Sequence, residues 1–263
     1  MSNELRDKVA IVTGGANGIG RAISELFVEE GARVVIADID DETASEVAAG
    51  LGETTSFVHT DVAEADGVQA AIDHAQARFG ALHVMVNNAG ISGSSRRLMQ
   101  DDLRDFDRVI AVDLYGVMVG TQRAARAMSP GGSIINITSI AGIAPGPGFS
   151  TYRAAKAAVI HFSRSAAIEV GELGVRVNII APGNIATAIN TSLYDTGAVA
   201  RQLQPLHRRG DTRDIAHAAV FLASERAAQV TGTLIPVDGG TTAGPPPINW
   251  DDVKAGAEGA GPE

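Results

Sequence analysis

The sequence predicts an α/β fold: a single domain with a doubly wound, mostly parallel seven-stranded sheet and helices on both faces. Short β-prone runs alternate with helical patterns along the 263 residues, which is typical of parallel sheets with right-handed crossovers. A glycine-rich turn directly follows the first run and leads into a helical pattern. The chain is long enough for one large domain of this kind.

Each element is predicted from local periodicity and from the turn residues that bound it. Helical patterns are expected from Ala22 to Gly31, over 68–79, over 101–128 with an interruption near Asp113 and Gly116, over 152–172 and over 211–223. Residues 184–210 are less regular, and a loop of this length is expected to act as a substrate lid. The seven runs that predict strands lie at 9–13, 33–37, 56–60, 82–86, 133–139, 175–181 and 233–237.

Composition excludes several classes of function. The formal charge is −10 and no basic run is present, so nucleic-acid binding is not expected. The sequence contains no cysteine, which excludes disulfides and thiolate catalysis. The six histidines show no paired metal-ligand spacing, so no metal site is expected. No apolar run approaches the roughly 20 residues that cross a bilayer, and the polar amino terminus favours a cytoplasmic protein.

The turn after the first strand has the features of a phosphate-binding loop. Its glycines, Gly14, Gly18 and Gly20, have the spacing Gly-x-x-x-Gly-x-Gly, which differs from the usual Gly-x-Gly-x-x-Gly fingerprint. Glycines permit close backbone approach, and the amino terminus of the following helix offers free N–H groups to a pyrophosphate. Such a turn alone is a weak signal, since glycine-rich turns also serve plain packing.

The second strand ends at Asp38, 18 residues beyond Gly20. A carboxylate about 20 positions after the glycine-rich turn is placed to accept hydrogen bonds from adenosine ribose hydroxyls. The same carboxylate would repel a 2′-phosphate by roughly 4 kcal/mol at 4 Å and an effective dielectric of about 20. No basic residue adjoins it, because Ile39 and Asp40 follow and Asn17 precedes Gly18. These residues favour NAD over NADP, with a helix cap or solvated loop aspartate as the alternative.

Tyr152 and Lys156 lie four residues apart in a helical pattern, so phenol and ammonium share one helix face. An ammonium roughly 5 Å away favours the phenolate by about 3 kcal/mol at an effective dielectric of about 20. The pair therefore suits general acid–base catalysis. Tyr-x-x-x-Lys alone occurs often by chance on ordinary amphipathic helices, so the interpretation depends on the other motifs.

Five motifs in order make the chain resemble the short-chain dehydrogenase/reductase family along about residues 1–242. They are Thr13-Gly14-x-x-x-Gly18-x-Gly20, Asn87-Asn88-Ala89-Gly90, Ser139, Tyr152-x-x-x-Lys156 and Pro182-Gly183. Each motif alone is weak evidence for the family, whereas five motifs in the family's order and approximate spacing are strong evidence. The resemblance implies an NAD(P)-binding domain of the Rossmann type over 1–242, followed by a loosely ordered tail over 243–263.

The resemblance also implies a role for each matching residue. Tyr152 would be the general acid or base, Lys156 would bind the nicotinamide ribose, and Ser139 would hydrogen-bond the substrate oxygen. The cofactor would be bound by Tyr152, Lys156 and residues of the loops at the strand ends, which are Gly14, Asn17, Gly18, Ile19, Gly20, Asp38, Ile39, Asp61, Val62, Asn88, Ala89, Gly90, Pro182, Gly183, Ile185 and Thr187.

One position departs from the family pattern. The family usually carries asparagine in a Val-Asn-Leu-x-Gly context, whereas this chain has Asp113 in Val112-Asp113-Leu114-Tyr115-Gly116. An aspartate near Lys156 would stabilise the ammonium and weaken its pull on Tyr152. Asp113 is kept as a fourth catalytic candidate, at a proton-relay position.

The predicted function is hydride transfer between NAD and a small secondary alcohol or ketone. Alternatives are an NADPH-dependent carbonyl reductase and a dinucleotide-binding regulatory protein without turnover. The apolar faces of the 101–128 and 152–172 helices exceed what one sheet face must cover, and the family usually forms tetramers or dimers. A homotetramer or homodimer is therefore expected, with no nucleic-acid or membrane partner.

Overall fold

The computed structural model describes residues 3–128, 130–186 and 204–244. Its strands are β1 (Val9–Thr13), β2 (Arg33–Asp38), β3 (Thr55–His59), β4 (Val84–Asn87), β5 (Ser133–Ile137), β6 (Arg176–Pro182) and β7 (Leu234–Val237). Within the described ranges they form one sheet in the order β3-β2-β1-β4-β5-β6-β7, with every pairing parallel. The predicted doubly wound fold is confirmed, and the strand order reverses between β1 and β4, where such sheets bind ligands.

Helices connect successive strands. Their bounds are α1 (Gly18–Glu29), α2 (Asp41–Leu51), α3 (Ala65–Phe79), α4 (Phe106–Ile110), a π-helical turn (Ala111–Tyr115), α5 (Gly116–Ala127), α6 (Ser150–Val170) and α7 (Thr212–Ala223). Short 3-10 turns occur at Leu98–Gln100, Ile140–Gly142, Gly171–Leu173 and Glu225–Ala227.

The sheet separates two apolar cores. Ala10 and Val12 of β1 pack into the core that contains residues of α1 and α7. Val9 and Ile11 pack into the other core, which contains residues of α3, α5 and α6. Successive residues of a strand face opposite sides of a sheet, and all five residues of β1 are buried. This double burial explains why the strand sequences are apolar throughout rather than alternating.

The predicted helix over 101–128 begins later than expected, at Phe106. The Asp101 and Asp102 side chains accept hydrogen bonds from the backbone N–H groups two residues ahead, at 3.2 Å each. Such local bonds compete with helix formation. Leu103 also has a positive φ of 52°, which ends any helix there.

Helix α2 was not among the predicted helices. It begins after Asp40, whose side chain accepts a hydrogen bond from the backbone N–H of Thr43, and Asp41 and Glu42 occupy its first turn. A capping aspartate followed by acidic residues is a recognisable start of a helix, so this element could have been found from the sequence.

Several predicted features lie outside the described residues. They are Thr187, most of the irregular 184–210 segment and the tail beyond Gly244. Over the remainder, no helix combines the length and apolar character needed to cross a bilayer. That same part of the chain holds no cluster of three metal-ligating side chains.

Gly20 offers a direct test of the glycine-rich turn. A Cβ at this position would lie 2.0 Å from the carbonyl oxygen of Gly14, so the loop cannot accept it without moving. We expect Gly20→Ala to lower the free energy of unfolding by about 2 kcal/mol, measured by urea denaturation.

The matched control is Gly50→Ala, at an exposed helical position where a Cβ would meet nothing within 4 Å. That substitution should raise the free energy of unfolding by about 0.5–1 kcal/mol. Equal stability of the two variants would contradict the loop geometry described here.

Candidate active site

The glycine-rich turn joins β1 to the amino terminus of α1. Gly14 and Gly18 have positive φ angles of 62° and 55°, which glycine adopts without strain. The Asn17 side chain does not cap α1, and the first turn of the helix carries no acidic residue. No acidic side chain in the first turn of α1 therefore offsets the positive end of the helix dipole. This end of the helix is suited to bind an anion.

Asp38, at the end of β2, stabilises this turn through hydrogen bonds to its carboxylate. One of its carboxylate oxygens accepts a hydrogen bond from the backbone N–H of Ala16 at 3.0 Å, and the other accepts from that of Asp40 at 3.1 Å. A carboxylate has about four acceptor sites, so both oxygens can still accept bonds from ribose hydroxyls. The half-buried side chain is thus held in place beside the glycine-rich loop.

Asn88 ties the end of β4 to the end of β1. Its side-chain amide donates to the carbonyl oxygens of Thr13 and Gly14 at 2.9 and 3.2 Å. The Thr13 hydroxyl in turn accepts from the backbone N–H groups of Asn88 and Ala89. These bonds fix the two loops that meet at the point where the strand order reverses.

The predicted adenine-side residues lie at the neighbouring strand ends. Ile39 is 63% exposed after β2, and Asp61 follows β3 with its carboxylate accepting from the backbone N–H of Ala63. Val62 is buried, and a Cβ at Gly116 would lie 3.0 Å from it. The structure therefore places these residues along one edge of the sheet with Gly14 and Asp38.

Ser139 begins the turn that follows β5, and its hydroxyl accepts a hydrogen bond from the backbone N–H of Ala141. The preceding residue, Thr138, donates its hydroxyl to the carbonyl oxygen of Lys156 at 2.7 Å. A Cβ at Gly142 would lie 2.6 Å from the carbonyl carbon of Lys156. The turn that carries Ser139 is therefore packed on α6 at the level of Lys156.

Tyr152 and Lys156 lie one turn apart in α6, as the spacing predicted. The Lys156 Nζ atom lies 5.5 Å from the centre of the Tyr152 ring and 3.4 Å from the carbonyl oxygen of Ile137. Tyr152 is half-buried, whereas Lys156 is only 3% exposed. The phenol can thus be reached by a ligand, and the ammonium is held beneath it.

Asp113 provides the partner of this buried ammonium. It lies in the π-helical turn and is fully buried, and its Oδ2 atom is 3.0 Å from Lys156 Nζ. The two side chains form a buried ion pair. Oδ1 accepts a hydrogen bond from the backbone N–H of Ile91 at 2.8 Å. Single π-helical turns inside α-helices often occur at functional sites.

Gly90 covers the pair from the β4 side. A Cβ at this position would lie 3.2 Å from both Asp113 Oδ2 and Lys156 Nζ. The Asn-Asn-Ala-Gly motif, predicted as part of the cofactor site, therefore ends directly on the charged pair.

Two opposing effects act on the charge of Lys156. Burial alone would lower the pKa of Lys156, but the charges of Asp113 and Tyr152 outweigh it and raise that pKa above its ordinary value. The ammonium is therefore retained throughout the neutral range. Its partner carboxylate offsets its charge within the same site.

Pro182 ends β6 at the same edge of the sheet, and Gly183 and the buried Ile185 follow it. The Gly183 N–H donates to the carbonyl oxygen of Val237 at 3.0 Å, so the segment is anchored to β7. Ile185 also lines a cavity of about 380 Å³ at the ends of β6 and β7. Thr187, the remaining predicted cofactor contact, lies outside the described residues.

Arg153 is a site residue that the sequence did not reveal. Its guanidinium donates to the carbonyl oxygens of Gly148 at 3.0 Å and of Ala144 at 3.1 Å. It thereby holds the loop that joins Ser139 to Tyr152. Its acceptors are backbone carbonyls, which carry no signature in the sequence.

The residues at this edge fit a nicotinamide dinucleotide. The glycine-rich turn offers backbone N–H groups at the helix terminus, and no acidic side chain occupies the first turn of α1. Asp38 suits a ribose, and Tyr152 with Lys156 suits an alcohol or carbonyl group beside the nicotinamide.

Comparisons with known proteins find relatives over most of the chain. The family model described as enoyl-(acyl carrier protein) reductase matches residues 14–242. Momilactone A synthase of Oryza sativa subsp. japonica is 42% identical over 250 residues, with 91% of each chain covered. The cis-4-hydroxycyclohexanecarboxylate dehydrogenase of Sinomonas cyclohexanicum is 42% identical over 249 residues, covering 92% of this chain and 100% of that protein.

A solved structure shows the same fold. The crystal structure of levodione reductase has a TM-score of 0.86 and 30% sequence identity, and the match covers 91% of this chain and 99% of the other. A dehydrogenase and a reductase thus each match this chain over about nine-tenths of its length. The chain belongs to the short-chain dehydrogenase/reductase family and is an oxidoreductase that uses a nicotinamide cofactor.

Proposed function

We propose that the protein is an NAD-dependent dehydrogenase that oxidises a secondary alcohol to a ketone and can catalyse the reverse reduction. The observation that carries this proposal is the arrangement at α6, where a ligand-accessible Tyr152 lies above a buried, charged Lys156. In oxidation the alcohol carbon gives up a hydride and its hydroxyl gives up a proton. The nicotinamide, when bound, is the acceptor of that hydride.

The protein's own residues supply the proton chemistry. Tyr152 takes the hydroxyl proton, and Lys156 favours the phenolate that can do so. Ser139, held beside α6 by Thr138, hydrogen-bonds the substrate oxygen and stabilises charge that develops there. Asp113 acts through Lys156 and is thus a positioning residue.

We further propose that the substrate carries its hydroxyl on a ring. Two relatives are named for such compounds: cis-4-hydroxycyclohexanecarboxylate dehydrogenase and 2,5-dichloro-2,5-cyclohexadiene-1,4-diol dehydrogenase. A panel of cyclic alcohols, sterols, sugars and hydroxy acids, assayed for NADH formation, identifies the class.

Association into a homotetramer or homodimer is also part of the proposal. Large apolar side chains are exposed on the helices that follow β4 and β5, namely Phe106, Met118 and Ile168 at 47%, 40% and 83%. Exposed apolar side chains of this kind support packing between subunits. A cytoplasmic location stays a prediction.

Tyr152→Phe tests the catalytic assignment. The variant keeps the ring but lacks the exchangeable proton, so we expect turnover to fall by at least about a thousandfold. Binding of NADH, measured by fluorescence, should stay within about threefold of wild type because the ring is retained. Full activity in the variant would show that another group moves the proton.

Asp38 provides the test of cofactor choice. Its carboxylate lies beside the glycine-rich loop, so a 2′-phosphate would meet a like charge. We expect dissociation constants measured by calorimetry to favour NAD over NADP by at least about a hundredfold. Asp38→Asn should reduce that preference, and tighter binding of NADP by the wild type would overturn the assignment.

Asp113→Asn should move the pH profile. In the wild type, the carboxylate raises the pKa of Lys156. Without it, the ammonium loses its proton at lower pH. We expect the alkaline limb of the kcat/KM profile for alcohol oxidation to move to lower pH.

Turnover of Asp113→Asn should stay within about tenfold of wild type, because an amide has nearly the same shape. An unchanged pH profile would contradict the electrostatic role of Asp113. Complete loss of turnover in a folded variant would show that its carboxylate has a more specific role.

A further inference from the structure

The buried carboxylate of Asp113 changes the net charge of the hydride-transfer site. Asp113 is fully buried and Lys156 is 3% exposed, with 3.0 Å between Oδ2 and Nζ. The two opposite charges sum to zero. An amide at the same position would leave the buried ammonium with its charge uncompensated.

This difference bears on the two forms of the cofactor. Oxidised nicotinamide carries a positive charge on its ring, and reduced nicotinamide is neutral. A net positive site disfavours the oxidised form relative to the reduced form, whereas a neutral pair does not. A change of charge at this position therefore alters the affinities for the oxidised and reduced cofactor unequally, and so changes their ratio.

We propose that Asp113 sets the redox preference of the protein for its cofactor by favouring NAD⁺ over NADH. This inference rests on the proposed function, because it requires the nicotinamide beside Tyr152. By linkage, a protein that binds NAD⁺ more tightly than NADH lowers the reduction potential of the bound cofactor relative to the free one.

Two distances place the carboxylate near the phenol ring, beside which we propose that the nicotinamide binds. Asp113 Oδ2 lies 3.0 Å from Lys156 Nζ, and Nζ lies 5.5 Å from the centre of the Tyr152 ring. The carboxylate can therefore be no farther from the phenol ring than the sum of these two distances. A unit charge at about 8 Å and an effective dielectric of about 20 changes an equilibrium by about tenfold to thirtyfold.

Two further contacts keep the carboxylate in place without neutralising it. The Ile91 N–H donates to Oδ1 at 2.8 Å, and a hydrogen bond from a backbone donor stabilises the charged form of a carboxylate. Gly90 lies against Oδ2 and Nζ, so the loop predicted to contact the cofactor separates the pair from solvent. The charge is thus held close to that loop.

The experiment compares the affinities of both cofactor forms in the absence of substrate. Dissociation constants for NAD⁺ and NADH are measured by calorimetry on the wild type, on Asp113→Asn and on Asp38→Asn. We expect the ratio Kd(NAD⁺)/Kd(NADH) to rise at least about tenfold in Asp113→Asn. For a two-electron couple, tenfold corresponds to about 30 mV.

Asp38→Asn is the matched control, since it also removes one carboxylate but at the proposed ribose site. It should weaken both cofactor forms alike and leave their ratio unchanged. An unchanged ratio in Asp113→Asn, or an equal change in both variants, would overturn the inference while leaving the proposed function intact. Failure of the wild type to bind either form would overturn the proposed function itself.

A second variant covers the case in which Asp113→Asn does not fold. Asp113→Ser also removes the charge with a smaller side chain, and circular dichroism checks that the variant is folded. The same rise in the ratio is expected, and its absence in a folded protein would overturn the inference.

Discussion

The candidate site depends on one ion pair in the interior of the protein. An isolated ammonium in an apolar interior would be very unfavourable, and Lys156 is retained as a cation because Asp113 lies 3.0 Å away. The pair joins α6 to the π-helical turn between α4 and α5, and the loop after β4 closes over it through Gly90. The contact between Asp113 and Lys156 therefore couples the position of α6, the position of the loop after β4 and the net charge of the site.

Hydrogen bonds in the surrounding scaffold fix the elements that carry this pair. Asn87 of β4 donates to Asn136 of β5 at 2.7 Å, and Asn136 donates to Ser163 of α6 at 2.8 Å. These buried amides link the sheet to the helix that carries Tyr152 and Lys156. A buried polar group without a partner is costly, so the network favours one position of α6 on the sheet. This fixes the positions of the Tyr152 and Lys156 side chains as well.

The fold and the residues at the strand ends could be predicted from the sequence, since alternating strands and helices leave few possible topologies. It also revealed Tyr152 and Lys156 as a pair, because four residues on a helix imply one face. It could not reveal the partners that come from other elements. Arg153 binds carbonyl oxygens of a loop, which carry no signature in the sequence, and the delayed start at Phe106 depends on local aspartate bonds that compete with a helix. Only the family resemblance led to the expectation that Asp113 lies near Lys156, from which it is 43 positions away in sequence.

The charge of Lys156 is the most direct test of this account. Nitrogen-15 NMR of protein labelled at the lysine side chains, compared between the wild type and Asp113→Asn, follows the Lys156 Nζ resonance. The account predicts that Lys156 keeps its proton to a higher pH in the wild type than in Asp113→Asn, because the carboxylate raises the pKa of Lys156. Loss of the proton at the same pH in both proteins would contradict it, because Asp113 would then contribute no compensating negative charge.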